Sequence, residues 1–396
     1  MPALFPLDRS PFGMGIYPSH RTSGETTEKA AQLAQEAGIR WTRDELGWAG
    51  IQPERDVWNW ERFDRAVNIT LEHGIQVLGL LSYGAPWAMS LKTADGKPDI
   101  LSLPDLRAWS EYVGRTVERF RDRIHVWQMW NEPNIRGFWH PKPDPKEYAR
   151  LLIAGANAAK KADPTCWVMG CNTSLVDLKF DRAVFDEGGW EHTDIIGVHP
   201  YRYPHPPERT DLLGDLLELA ALSAEYGAVK PIWISEIGYA THTGPGGSSE
   251  WWSGVMLMRT YLTAWSSGLV QKLFWYDYRD DGLRREYNEH NFGILHHDWS
   301  PKMLYEVYRV MATSLEGFEP DGRVDLGTDL YVLRFRRGNE LRLAAWTTGK
   351  NVKMPVPAPG TRVSVIKPWE ETKTLDAPNG WATVSLDATP MFLVPA

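Results

Sequence analysis

The sequence predicts an α/β chain, a (β/α)₈ TIM barrel over 1–314 followed by a C-terminal all-β sandwich over 315–396. Two observations carry this. From Phe12 to Ser314, short apolar runs alternate with amphipathic segments eight times, the pattern of a parallel barrel with enlarged loops. From Leu315 the helical periodicity stops and short alternating runs replace it. A doubly wound open sheet would also alternate, but no Gly-rich phosphate loop follows the first strand.

The elements follow in order. Phe12 to Tyr17 reads as the first strand, and Thr26 to Ala37 as a helix stopped by Gly38. Ile39 to Arg43 is the second strand, ending in charge, and Trp60 to His73 a helix closed by Gly74. Ile75 to Ser82 is a third strand of Ile, Val and Leu. Leu106 to Phe120 is helical with Asp105 placed to cap it, and His125 opens the fourth strand. Pro145 to Lys161 is a helix, Cys166 to Thr173 a strand, Lys179 to Glu187 a helix. Asp194 to His199 is the sixth strand and Leu212 to Tyr226 its helix. Ile232 to Glu236 is the seventh strand, Trp251 to Ser267 a helix, Lys272 to Tyr276 the eighth strand, and Pro301 to Ser314 the last helix.

Beyond it, strands are expected over Leu330 to Phe335, Leu341 to Trp346, Val363 to Ile366 and Thr383 to Leu386. Arg336 to Glu340 is a hairpin turn signal. Nothing there resembles a catalytic cluster, so a structural buttress is preferred to a carbohydrate-binding role.

Composition excludes several classes. No apolar run approaches the ~18 residues of a membrane span. The start, Met1-Pro2-Ala3-Leu4-Phe5-Pro6, has neither a basic nor an apolar leader region. The expectation is therefore a cytoplasmic protein, or a secreted one whose signal has been trimmed. A net charge of −8 without a basic stripe argues against a nucleic-acid partner. Cys166 and Cys171 fall on opposite faces of one strand and read as unbridged thiols. The chain holds 20 Trp, among them Trp48, Trp87, Trp139, Trp233, Trp251, Trp252 and Trp275 near strand ends or in loops. Sugars present C–H faces that pack on aromatic rings, so this surplus suits a carbohydrate cleft. Core filling is the plainer explanation for any single Trp.

The stretch His125-Val126-Trp127-Gln128-Met129-Trp130-Asn131-Glu132-Pro133-Asn134 starts apolar and ends abruptly polar, as a buried strand emerging into a cleft does. Pro133 cannot continue a central strand, which leaves Glu132 at the barrel mouth. Pro231 to Tyr239 repeats the pattern with Glu236. At about 31 residues per unit of a barrel, the spacing between the two acids fits strands 4 and 7 plus insertions. Barrel enzymes act at the C-terminal strand ends, which here carry Arg43, Tyr83, Asn131, Glu132, His199, Tyr201, Glu236 and Trp275. Two opposed carboxylates fit glycosidic cleavage, either as nucleophile and acid/base or as acid and base around a water.

Trp130-Asn131-Glu132-Pro133-Asn134 together with Ser235-Glu236-Ile237-Gly238 resembles the retaining glycoside hydrolases of clan A. Ile51-Gln52-Pro53 with Trp58-Asn59-Trp60 resembles a recurring segment of the clan, with Gln52 where a Glu is usual. Tyr276 to Gly282, Asn291 to Ile294 and Ser300 to Lys302 resemble family 39, with family 5 relatives behind; the similarity runs from about Gly13 to Ser314. The resemblance implies a carbohydrate substrate, no cofactor and no metal. It makes Glu236 the nucleophile, kept ionised by Arg43 and a Tyr201 hydroxyl. It makes Glu132 the acid/base, whose proton burial and the other carboxylate's charge would retain. It puts Asn131 on the sugar 2-hydroxyl, Trp275 beneath the ring with a cis bond to Tyr276, and His199 among the polar neighbours it orients. Tyr83 and Trp139 complete the expected substrate contacts.

Three other classes compete. A metal hydrolase would draw on His199, His205, His242, His290, His296 or His297, yet none forms a His-x-His pair on strand 1 or an i, i+4 helical pair. A non-catalytic glycan-binding barrel fits poorly with two retained carboxylates. A transglycosylase would use the same site and differ only in the acceptor. Sugar, linkage, endo or exo action and oligomeric state are not written in the sequence.

Overall fold

A computed structural model describes residues 3–396. Eight parallel strands close the barrel: β1 (Phe12–Met14), β2 (Trp41–Glu45), β3 (Gln76–Leu81), β4 (Val126–Met129), β5 (Trp167–Ser174), β6 (Ile195–His199), β7 (Ile232–Ile237) and β8 (Val270–Trp275). Closure comes from β8 pairing with β1 through Phe12↔Leu273, Gly13↔Phe274 and Met14↔Trp275. A main helix follows each strand, with short helical turns at Pro18–Arg21 and Trp48–Ile51 besides: α1 (Glu25–Glu36), α2 (Glu61–Glu72), α3 (Leu106–Phe120), α4 (Pro145–Ala162), α5 (Leu178–Val184), α6 (Leu212–Glu225), α7 (Glu250–Ser266) and α8 (Met303–Leu315).

Local chemistry sets several of these limits. Asp105 accepts from the Ala108 N–H and Asp144 from those of Lys146 and Glu147, capping α3 and α4. β1 stops at Met14, short of the expected Tyr17. Tyr17 takes a left-handed φ of 52° and starts the helical turn Pro18–Arg21. β2 runs on through its charges to Glu45, paired with Leu80, because the barrel mouth accommodates polar side chains. β5 carries a bulge at Cys171 and Asn172, with φ 65° and 57°, where its register against β6 slips.

The barrel floor is filled by Trp41, Leu78, Val126, Met169, Ile195, Trp233 and Phe274. Lys272 lies beside this layer with its ammonium 4.7 Å from the Trp41 ring centre, donating to the Ser10 carbonyl at 2.9 Å. Burial drops its pKa to about 8.

After α8, a six-stranded antiparallel sheet faces a two-stranded one. The larger contains β9 (Glu319–Arg323), β10 (Leu330–Arg337), β11 (Glu340–Thr347), β13 (Arg362–Ile366), β14 (Lys373–Asp376) and β16 (Met391–Pro395). The smaller pairs β12 (Val352–Pro357) with β15 (Trp381–Leu386). The expected runs are β10, β11, β13 and β15, and Gly338 turns the β10–β11 hairpin at φ 56°. β9, β12, β14 and β16 were not expected. β9 reads Glu-Pro-Asp-Gly-Arg, β12 contains Pro355 and Pro357, and β14 is short and polar.

One apolar cluster joins barrel and sandwich, bringing Phe335, Trp346 and Phe392 together with Leu257, Tyr261 and Trp265. At its edge a buried ion pair links α7 to the β6–α6 loop, with Arg259 Nη2 2.7 Å from Glu208 Oε2. The Trp346 indole N–H donates to Glu208 at 3.1 Å.

Candidate active site

Strand alternation explains which side chains reach the mouth. Along β2, Arg43 and Glu45 share a face, whereas Asp44 points the other way and accepts from the Ser19 N–H at 3.0 Å and its hydroxyl at 2.6 Å. Burial outweighs these hydrogen bonds and pushes the Asp44 carboxyl up to about 7. β4 ends at Met129, and the chain then bends through left-handed residues at Trp130 (φ 68°) and Glu132 (φ 44°). The Glu132 N–H donates to the Asn172 carbonyl of the β5 bulge at 3.0 Å, which fixes the bend. Such conformations cost free energy and persist where surrounding structure holds them.

Arg43 is the hub. It is 2% exposed, and each of its nitrogens finds an acceptor: Nε to Gln128 at 2.9 Å, Nη1 to the Tyr17 hydroxyl at 2.5 Å and to Glu236 at 2.9 Å, Nη2 to Asn131 at 2.6 Å. Tyr201 donates its hydroxyl to the other Glu236 oxygen at 2.6 Å. Burial pushes Glu236 up, but His199, Arg43 and the Tyr201 hydroxyl outweigh it and hold its carboxyl below the usual range.

Glu132 faces His199, whose Nδ1 lies 2.8 Å from a Glu132 oxygen while Nε2 meets the Ser235 hydroxyl at 3.1 Å. Asn131 donates to the Tyr83 hydroxyl at 3.1 Å. Ligand atoms of Glu132, His199 and Glu236 all lie within 4.8 Å of one another. Such a trio has the composition of a metal site. Here, however, the Glu236 oxygens face Arg43 and Tyr201, and His199 Nδ1 is turned to Glu132, so the donors are engaged with protein.

The structure therefore brings Arg43, Tyr83, Asn131, Glu132, His199, Tyr201 and Glu236 together. Two expected contacts are corrected. Trp275 is fully buried and stacked on Tyr239, with ring centres 6.0 Å apart; its neighbour Tyr276 lines the cleft. Trp139 is fully buried against Trp130 and Tyr148, and Phe138 lines the cleft in its place. The cis bond is also one residue later, at Tyr276–Asp277 rather than Trp275–Tyr276.

Tyr17, Gln128 and Ser235 belong to the network and were not singled out in the sequence. Gln128 had a visible signal, a lone amide in an otherwise apolar strand; Tyr17 had none. Gln52 keeps to packing, accepting from the Trp48 indole at 2.8 Å and, through its carbonyl, from Trp87 at 3.0 Å. The open cleft of about 440 Å³ is otherwise walled by His20, Arg21, Glu45, Leu80 and Asp281. Arg21 pairs with Asp277 and, at 3.0 Å, with Asp281.

Residues 16–134 match the model of glycoside hydrolase family 42, beta-galactosidase, a span that ends just past Glu132. Among solved structures, the chain is similar to a family 39 glycoside hydrolase from the gut symbiont Bacteroides cellulosilyticus WH2. That likeness has TM-score 0.83 and 24% identity, over 98% of this chain and 81% of that one. A monomeric beta-xylosidase from Caulobacter crescentus CB15 matches with TM-score 0.71 and 18% identity, over 99% and 98%. A family 30 endoxylanase from Clostridium papyrosolvens C71 matches with TM-score 0.68 and 15% identity, over 97% and 96%. Together these show the fold, a (β/α)₈ barrel with a C-terminal β domain, and a partial match to a glycoside hydrolase family model. The fold is the one those family 39 and family 30 proteins share.

Proposed function

We propose that this chain is a retaining β-glycoside hydrolase, with Glu236 as nucleophile and Glu132 as acid/base. The observation that carries the reading is the close carboxylate pair with unequal surroundings. Glu236 accepts from a guanidinium and a hydroxyl, while Glu132 faces an imidazole, and one atom each of Glu132, His199 and Glu236 lie within 4.8 Å of one another. Retaining sites hold their carboxyl groups about 5–5.5 Å apart, inverting sites about 6.5–9.5 Å to leave room for water.

In the first step a Glu236 oxygen attacks the anomeric carbon from below. Glu132 gives its proton to the glycosidic oxygen, and the aglycone leaves as an alcohol. In the second, Glu132 takes a proton from water, which attacks the same carbon from above and displaces Glu236. Arg43 and Tyr201 keep Glu236 ionised and oriented before attack. Asn131, fixed by Arg43 and Tyr83, accepts or donates to the 2-hydroxyl, a contact that strengthens in the transition state. Tyr276 takes the position beneath the sugar expected of Trp275.

The xylan-directed names of two similar structures make an aryl β-xyloside the first substrate to test, with β-glucoside and β-galactoside beside it. Proton NMR of the fresh reaction distinguishes the mechanisms. The β-anomer should appear first and mutarotate; the α-anomer appearing first would assign inversion.

A further inference from the structure

We propose that Glu45 is a specificity-determining residue, its carboxylate accepting from the 3-hydroxyl of the sugar seated at Asn131. The assignment rests on the hydrolase reading above and deepens it. Of the carboxylates that line the cleft, Glu236 is held by Arg43 and Tyr201, and Asp281 by Arg21. Glu45 is half-buried, yet among the described residues it has no hydrogen-bond or ion-pair partner. Arg43, two residues before it on the same strand face, makes its hydrogen bonds to Gln128, Tyr17, Glu236 and Asn131 and none to Glu45.

A half-buried carboxylate left without donors is poorly compensated until something supplies them. Its two oxygens accept only, and a sugar offers hydroxyl donors. Position narrows which one. Glu45 is paired with Leu80 across β2–β3, one residue before β3 ends and three before Tyr83, and Tyr83 bonds Asn131. Glu45 thus flanks the ring edge on which Asn131 meets the 2-hydroxyl, and the next hydroxyl on that edge is the 3-hydroxyl. An acceptor-only wall also disfavours a substituent or a negative charge at that hydroxyl.

The test is a cycle between Glu45→Gln and deoxy substrates. The probe is whichever of 4-nitrophenyl β-xyloside, β-glucoside and β-galactoside the wild type turns over fastest, with its 3-deoxy and 4-deoxy counterparts. Glu45→Gln should lower kcat/KM for the parent glycoside by about 10- to 100-fold, the range of a charge-assisted hydrogen bond. It should cost the 4-deoxy substrate as much and the 3-deoxy substrate less than 3-fold, with thermal unfolding unchanged. An equal loss on all three, or a loss that vanishes with the 4-deoxy substrate, overturns the assignment. A wild type inert on all three parents refutes the hydrolase reading instead and takes this assignment with it, a result seen before any variant is made.

Discussion

Arg43 Nη1 lies 2.9 Å from Glu236 Oε2, and the arginine is 2% exposed. A buried pair of this kind is costly to break from one side, about 3–5 kcal/mol, because the remaining charge stays buried. Arg43→Met should therefore abolish turnover and lower stability, leaving Gln128, Asn131 and Tyr17 without their donor.

Arg43→Lys separates charge from geometry. A lysine keeps the cation but cannot serve all the acceptors that the planar guanidinium reaches. As the proposed nucleophile Glu236 acts as the carboxylate, and its folded-state pKa is depressed. Weakening the pair raises that pKa, so the acidic limb of kcat/KM against pH should move to higher pH. Stability follows the same sign. The pair stabilises the fold above the ordinary carboxylate pKa, and that contribution fades as pH falls through the depressed value. An unmoved acidic limb would show that Arg43 does not tune Glu236.

Asp181 behaves oppositely. It is fully buried on α5 with no cation beside it, and burial outweighs its contact with the Cys171 thiol and pushes it up to about 8. A raised carboxyl favours the folded state below its unfolded value of about 4 and loses that advantage as pH climbs toward the folded value. Thermal melts of Asp181→Asn should lose less stability between pH 5 and 8 than wild type. Parallel curves would refute the assignment of a neutral Asp181.

The eight-unit alternation and the two glutamates were legible because buried parallel strands read as apolar runs, and a charge at such a run's end is conspicuous. The aromatic contacts were not. Trp139 and Trp275 are the larger rings, and each stands beside the residue that lines the cleft, Phe138 and Tyr276. Tyr276 stands at the end of β8, where successive side chains alternate, while Phe138 and Trp139 lie in the loop after β4; in both places a shift of one residue exchanges core for cleft, and ring size favours the core. Tyr17 stayed hidden because its position depends on a left-handed turn. β9 and β12 stayed hidden because their prolines and polar residues are tolerated only where a strand has solvent on one side.

Trp346 tests the sandwich as a buttress. Its indole is buried in the cluster shared with the barrel and donates to Glu208. Trp346→Ala should destabilise the chain by about 3–5 kcal/mol, and Trp346→Phe, which loses mainly the hydrogen bond, by about 1 kcal/mol. Denaturant unfolding followed by tryptophan fluorescence and circular dichroism should report one shared transition. Two separated transitions would mean that the sandwich stands apart from the barrel.

The roles of Glu132 and Glu236 are tested most directly by azide. Glu236→Gly removes the nucleophile and leaves a cavity below the sugar, so azide should attack from there and release an α-glycosyl azide. Glu132→Ala keeps the nucleophile, and an activated aryl glycoside still forms the covalent intermediate with little acid help. Azide then displaces Glu236 from above and gives the β-glycosyl azide. Proton NMR of the two products decides: an α-azide from Glu236→Gly and a β-azide from Glu132→Ala are predicted, and reversed anomers, or two unimpaired variants, would contradict the account.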